Sequence, residues 1–323
     1  MQEPRTVAQD LQASEPEIPL ALTRAGVTGV AKAIRIRRGT AETVMAAEIE
    51  CTVDLRGGQK GVHMSRFPEL FEDAIELVVE REAMLVEVLA ELIAQSVVER
   101  QGAMKAEVWI RAQWPIHRRT PVTGLATQEM VTLCGIAAAS ETGTRRAVGV
   151  EATGINACPC AQGLVRNRAS ERLLDAGFDT TDVDRILDLV PIATHNQRGR
   201  QTLFVGTEQD LDAELLVDIA ERSMSAPIYD LLKRPDELFV VEHAHLQPRF
   251  VEDSVRHALR DAIETLPQLE DDDFLLSKQV NFETIHVHDV VAERFGTVGE
   301  LRGELTTGEP SSQQTTLAAW LSG

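Results

Sequence analysis

Two of the four cysteines in this 323-residue chain stand one residue apart, in Ala157-Cys158-Pro159-Cys160-Ala161. Further along comes a second polar cluster, His195-Asn-Gln-Arg198. A thiolate and an imidazole are the ligand types that hold zinc or ferrous iron. If the fold brings Cys158 and His195 together, the pair begins a metal site, and a metal with an open position activates water. In an extended segment the sulfurs of a Cys-x-Cys pair point to opposite faces. Pro159 fixes the local turn, so one cysteine faces a site and the other packs. Two structural thiols are the alternative. A structural zinc site lacks its second cysteine-rich knuckle.

Other groups have chemistry to offer. Glu237 follows Pro235, which marks a helix start, so Asp236 and Glu237 read equally as first-turn carboxylates. Glu252 sits near another helix start, where it either compensates the dipole or accepts two N–H donors from a heterocycle edge. His286 and His288 share one face if their segment is a strand, as a metal ligand, a proton shuttle or surface histidines. His243 and His245 have the same spacing in less polar company and read as ordinary surface residues. Arg198, Arg200 and Arg249 offer contacts to phosphate. Arg66 stands at a helix N-terminus against the dipole, which suggests an anion nearby.

The elements that must position these groups follow from periodicity. Residues 1–22 are polar and proline-bearing, an arm. Gly26–Arg38 and Glu42–Leu55 alternate as strands about a turn at Gly39. One long helix is expected over Glu69–Glu99, ended by Gly102. Strands follow at Met104–Trp114, Glu129–Ala139 and Arg146–Gly154. Two short amphipathic helices fill 163–190, the second capped at Thr180-Thr-Asp182. His195 and the polar groups after it read as following an apolar strand end, Thr202–Gly206 as a strand, Asp210 as a helix cap, Phe250–Leu266 as a helix and Phe274–Val291 as one or two strands. The tail from 304 to 323 reads as mobile. The organisation is α+β: a first module over 23–157, an active-site segment over 158–200 and a second module over 201–303. Each module is an antiparallel sheet with helices on one face.

In order, Leu22-Thr-Arg-Ala-Gly-Val-Thr-Gly29, Gly61-Val-His-Met-Ser-Arg-Phe67, Ala157-Cys-Pro-Cys-Ala161, His195-Asn-Gln-Arg198, Leu232-Lys-Arg-Pro-Asp-Glu237, Phe250-Val-Glu-Asp253 and Phe282-Glu-Thr-Ile-His286 resemble the type IB GTP cyclohydrolases. The Ala-Cys-Pro-Cys-Ala-Gln form and the helical insert 163–190 are similar to the archaeal branch. The resemblance implies tandem tunnelling-fold (T-fold) modules and active sites at subunit interfaces of a homo-oligomer. It implies ferrous iron, with zinc or manganese possible in vitro, held by Cys158, His195, Glu237 and His286. Glu252 would anchor the guanine of GTP, with Arg198, Arg66 and Arg249 near the triphosphate. Cys158, His195 and His286 would be the catalytic groups. The product implied is 7,8-dihydroneopterin 2′,3′-cyclic phosphate, with formate and pyrophosphate released, for tetrahydromethanopterin or folate. Dihydroneopterin triphosphate is the alternative product. A T-fold nitrile reductase with a nucleophilic cysteine and a non-catalytic metal-binding protein are the competing readings. The insert leaves the distance from Cys158 to His195 open.

Bulk composition narrows the partners. The net charge of −19 argues against nucleic-acid and anionic-membrane binding. Four cysteines make no disulfide framework, and Cys51 and Cys134 in apolar stretches read as buried thiols. No apolar run follows Met1-Gln-Glu-Pro-Arg5, and none approaches a membrane span, so a soluble cytoplasmic protein is expected. Lysines occur at only five positions (32, 60, 105, 233 and 278). An acidic, lysine-poor surface suits a high-salt cytoplasm, where carboxylate repulsion is screened within a few ångströms. Dialysis into low salt is therefore expected to lower the thermal midpoint, and undiminished stability without salt would contradict the halophilic reading.

Overall fold

A computed structural model of the chain describes residues 11–38, 41–79 and 85–323. Strands β1 (Leu22–Arg38) and β2 (Ala41–Leu55) precede helices α1 (Arg66–Val79) and α2 (Val86–Gln101). Strands β3 (Lys105–Arg119), β4 (Ala126–Ser140) and β5 (Gly143–Ala157) lead to helices α3 (Pro159–Asp175) and α4 (Thr180–Leu189). Then come β6 (Asn196–Gly206), α5 (Ala213–Arg222), β7 (Ala226–Pro227), α6 (Arg234–Leu246) and α7 (Val251–Thr265). Strands β8 (Phe274–Asn281) and β9 (Val290–Thr297) and helices α8 (Val298–Thr307) and α9 (Leu317–Trp320) complete the chain. The chain forms two compact units. The first runs to Ala112 and takes in 134–148 and 318–323; the second takes in 113–133 and 149–317. The units cut across the linear segments read from sequence, because β3, β4 and β5 each contribute residues to both. No helix among the described residues is long and apolar enough to cross a membrane.

In the first unit β2 pairs antiparallel with β1 and β3, placing Val27 opposite Cys51 and Cys51 opposite Val108. Alternation along β2 buries Met45, Ala47, Ile49, Cys51, Val53 and Leu55. Phe67, Leu70 and Phe71 of α1 and Leu89, Ile93 and Val97 of α2 are also buried. Cys51 and Cys134 are buried thiols as expected, and burial pushes the Cys51 thiol up to about 12. The single long helix is corrected: Leu85 is extended (φ −102°, ψ 136°) and starts a second helix. Residues 80–84 lie outside the described ones. No glycine or proline stands at 80–85, so apolar spacing runs through the break unmarked. Gly102 ends α2 in the left-handed region, φ 65°. The expected turn at Gly39 and the first ten residues of the arm also lie outside the described residues.

In the second unit β8 pairs antiparallel with β6 and β9. Helices α5 and α7 pack on this ladder. Leu203, Val205, Phe274 and Leu275 of the sheet and Val255, Ala258, Leu259 and Ala262 of α7 are buried. The cap of α5 is Asp212 rather than Asp210, accepting from Glu214 N–H at 3.0 Å. The helix at 180 is capped one residue earlier than read, by Asp179. Helix α3 buries none of its side chains, whereas α4 buries Val183 and Leu187. Residues 304–323, read as a mobile tail, carry defined contacts. Within the second unit the Thr315 hydroxyl donates to Glu300 at 2.6 Å. Within the first, Trp320 is buried and Arg145 lies over its ring at 4.8 Å.

The end of β3 brings a half-buried charge cluster to α5. Arg118 lies 2.7 Å from Glu221, 3.2 Å from Asp218 and 3.5 Å from Glu129. Burial raises the Glu221 carboxyl to about 7; Arg118 opposes the rise, and Glu129 and Asp218 add to it. Tyr229, beside the cluster, is raised by burial as well. Because the folded state binds this proton more tightly than the unfolded state, the contribution is present at low pH. It is lost as pH rises from the ordinary carboxyl value through about 7. Glu221→Gln should flatten a fall in unfolding free energy of roughly 3 kcal/mol across that window. Denaturant titrations at pH 5 and 8 measure it, and an unchanged fall in the variant would contradict the assignment.

Candidate active site

Cys158 is positioned by what precedes it. The end of β5 pairs with β7, Gly154 opposite Pro227 and Ile155 opposite Ala226. Asn156 is fully buried, and its amide donates to Ser254 Oγ of α7 at 3.0 Å while its oxygen accepts from Ser225 N–H at 3.4 Å. Ala157 N–H donates to Ser225 Oγ at 3.1 Å, and Ala157 carbonyl accepts from Arg249 N–H at 3.0 Å. The chain then turns into α3 with Cys158 as the cap. Its sulfur accepts from Ala161 N–H at 3.5 Å, and Pro159 takes the first helical position, where a missing N–H costs nothing. The pair is therefore not extended. Cys158 is half-buried at the helix mouth and Cys160 is exposed on the helix.

The insert closes on itself. Cys158 N–H donates to the His195 carbonyl at 3.2 Å, and the Thr194 hydroxyl donates to the Cys158 carbonyl at 2.8 Å. His195 precedes β6 rather than following a strand. Buried and exposed residues alternate from there: Gln197, Gly199 and Gln201 are buried, Arg198 and Arg200 exposed. A Cβ at Gly199 would lie 2.2 Å from the buried Gln279 amide, so a larger residue there must displace that amide. Glu283, buried beside His195, sets the imidazole. Its Oε1 accepts from Gln197 Nε2 at 3.1 Å, which turns Gln197 Oε1 toward His195 Nδ1, also at 3.1 Å. Nδ1 is then the donor and Nε2 keeps its lone pair, the arrangement of a metal-ligating histidine with a carboxylate behind it. Glu283 Oε2 is buried without a hydrogen-bond partner, 3.8 Å from Nδ1. Sequence reasoning assigned no role to Glu283 or Gln197, although both stand inside the motifs it singled out.

The other predicted residues take these places. Glu237 is exposed on the first turn of α6. Its neighbour Asp236 is fully buried and holds that turn. It accepts from Val122 N–H at 2.9 Å, Thr123 N–H at 2.8 Å, Thr123 Oγ at 2.6 Å and Lys233 N–H at 3.0 Å. Burial works to raise its carboxyl, and these hydrogen bonds outweigh that and hold it well below the usual range. His286 and His288 lie in the connection between β8 and β9, not on a strand; both are exposed and their rings stack at 5.3 Å. Glu252 is exposed on the first turn of α7. Arg249 donates to the Arg222 carbonyl at 2.6 Å, and burial lowers its guanidinium pKa. Arg198 is exposed on the face of β6 opposite Gln197, and Arg200 lies over Phe282 at 5.6 Å. Arg66 belongs to the other unit, where its guanidinium donates to the Arg100 carbonyl at 3.2 Å.

Of the proposed ligands the chain brings Cys158 and His195 together; Glu237 and His286 stand outside that pair. Among the described residues no three His, Cys, Asp or Glu side chains of one chain form a cluster able to hold a metal. The donor chemistry of the pair nonetheless fits such an ion: one sulfur, one imidazole with Nε2 free, and a buried carboxylate behind it.

A family model described as type I GTP cyclohydrolase folE2 matches residues 8–292. GTP cyclohydrolase MptA of Methanococcus aeolicus is 40% identical over 305 residues, covering 92% of this chain and 99% of that protein. GTP cyclohydrolase MptA of Haloferax volcanii is 41% identical over 300 residues, covering 92% and 97%. Among solved structures, uricase from Arthrobacter globiformis matches with a TM-score of 0.52 at 9% identity, over 90% of this chain and 96% of that one. That likeness is one of fold alone, and it agrees with the α+β tunnelling fold.

Proposed function

The chain belongs to the type I GTP cyclohydrolase family, and from that premise we propose a metal-dependent hydrolysis of GTP at guanine C8. The products are formate, pyrophosphate and 7,8-dihydroneopterin 2′,3′-cyclic phosphate. The observation that carries the reading is the Cys158–His195 contact, with Nε2 of His195 left free by Gln197 and Glu283. Cys158, His195, Glu237 and His286 would hold the metal, ferrous iron in the cell and zinc or manganese as substitutes. When bound, the ion supplies Lewis-acid activation of water near neutral pH.

The chain's own groups do the remaining work. Glu252 accepts the N1–H and N2–H donors of guanine and fixes C8 relative to the cysteine. A histidine outside the metal set carries protons to the ring nitrogens as the imidazole opens. Two waters add: one opens the imidazole ring and the other releases the C8 carbon as formate. The opened ribose then rearranges so that its carbonyl condenses with the freed amine, which closes the dihydropyrazine ring and returns one water, so one water is consumed net. Arg198, Arg66 and Arg249 offset the triphosphate charge in an otherwise acidic protein. A side-chain hydroxyl, freed when the ribose opens, then attacks the α-phosphate and pyrophosphate leaves. Cyclic phosphate and pyrophosphate thus appear together.

Cys158 and His195 are two of the four ligands, and the set is completed in a homo-oligomer whose sites lie between subunits. The product enters pterin biosynthesis in the cytoplasm. The names printed for these relatives, GTP cyclohydrolase MptA, support the cyclohydrolase activity.

Anaerobically purified protein incubated with GTP and ferrous iron, then oxidised, should yield a fluorescent pterin with one pyrophosphate per turnover. Cys158→Ala should abolish it, and Glu283→Gln should weaken iron binding about 10–100-fold. No pterin from the wild type, or undiminished pterin from Cys158→Ala, would overturn the reading. Pterin without pyrophosphate would select the triphosphate product.

A further inference from the structure

Helix α6 carries Glu237 on its first turn, yet little packing holds it. Of its apolar side chains it buries Val240 and Ala244, in a small core with Ala226, while Leu238, Phe239, Val241 and Leu246 are exposed. Burial of so little apolar area holds a helix weakly. Polar ties at its two ends must then decide where it sits. Asp236 ties the first turn to Val122 and Thr123. The last turn is tied by Gln162, a residue of the insert with no role in the reaction above.

Gln162 stands one turn after Cys158, and its backbone N–H donates to the Cys158 carbonyl at 3.1 Å. Its side-chain Nε2 donates to the His245 carbonyl at 2.6 Å and to the Ile192 carbonyl at 2.9 Å. A primary amide carries two hydrogens on one nitrogen, so both carbonyls are served at once. The His245 carbonyl is one of those at a helix end that find no partner within the helix. One side chain thus joins the mouth of α3, the return to His195 and the last turn of α6. Other contacts at this junction are weaker. A cavity of about 290 Å³ lies beside the amide, with Pro159, Ile192 and Leu246 in its lining. The His245 ring gives its Nδ1 proton to the Val241 carbonyl at 2.7 Å, and a neutral ring then has none for the Thr194 carbonyl, 3.4 Å from Nε2.

We propose that Gln162 is a positioning residue, which sets α6, and with it Glu237, relative to the mouth that carries Cys158 and His195. This rests on the metal-binding reading above, in which Glu237 is a ligand. Without the two N–H donors of Gln162, two carbonyls lose their partner and the last turn of α6 is released. Glu237 then holds the metal less well, whereas the segments of Cys158 and His195 keep their own backbone tie.

Zinc affinity of the full-length protein, measured by chelator competition under reducing conditions, tests this. Gln162→Met keeps the side-chain length and removes both donors, and it should weaken zinc binding roughly tenfold. In a Glu237→Gln background the same change should cost little, because its route through Glu237 is already closed. Gln162→Lys, which again offers N–H donors, should restore most of the affinity. If Gln162→Met does not fold, Gln162→Glu, with the same shape and acceptors in place of donors, takes its place. The inference is overturned if removing the donors leaves zinc affinity unchanged, if the loss is equally large in the Glu237→Gln protein, or if Gln162→Lys restores nothing. Cys158→Ser in the same assay tests the metal reading itself. Undiminished zinc binding there ends that reading and this inference with it, whereas weakened binding there with an indifferent Gln162 ends this inference alone.

Discussion

One backbone hydrogen bond ties together the two segments that carry the candidate metal donors: Cys158 N–H to the His195 carbonyl, at 3.2 Å. The Thr194 hydroxyl doubles it by donating to the Cys158 carbonyl across 36 positions of sequence. Together they close the helical insert into a loop with a fixed base. Helices α3 and α4 leave the sheet at Cys158 and return at His195, so their length does not alter the approach of the two backbones. The insert is tolerated because both ends are tied at the backbone, where side-chain identity does not enter.

The base of that loop is itself anchored. Asn156 bonds Ser254 of α7 and Ser225 before β7, so the segment leading into Cys158 and the helix bearing Glu252 share one buried node. On the other side, Glu283 orients Gln197 and Gln197 orients His195. Asp236 does a similar service for the first turn of α6 by gathering four donors. Each device uses a polar side chain held by specific hydrogen bonds, and such groups favour one geometry because others break those bonds.

Much of the frame was legible in the sequence. Alternation placed β2 on its core, glycine ended α2, and the insert's two helices fell where spacing put them. The failures share a cause. The break at Leu85 carries no glycine or proline. The β8–β9 connection looks like a strand because His286 and His288 alternate, and only the end of pairing at Asn281 shows otherwise. Cys158 and His195 were legible as candidates from residue type, but their proximity is a long-range property that local pattern does not contain. Glu283 and Gln197 were invisible for another reason: a carboxylate and an amide on a polar segment read as surface until burial is known. The charge cluster at Arg118 assembles β3, β4 and α5, and no single stretch of sequence announces it.

The central claim is that Cys158 and His195 bind one metal ion. X-ray absorption at the metal edge of zinc-loaded, full-length protein tests it directly. The account predicts one sulfur scatterer at about 2.3 Å alongside nitrogen and oxygen at about 2.0–2.2 Å, with the sulfur lost in Cys158→Ser and kept in Cys160→Ser. A shell of nitrogen and oxygen alone in the wild type, or a sulfur that survives Cys158→Ser, would contradict it.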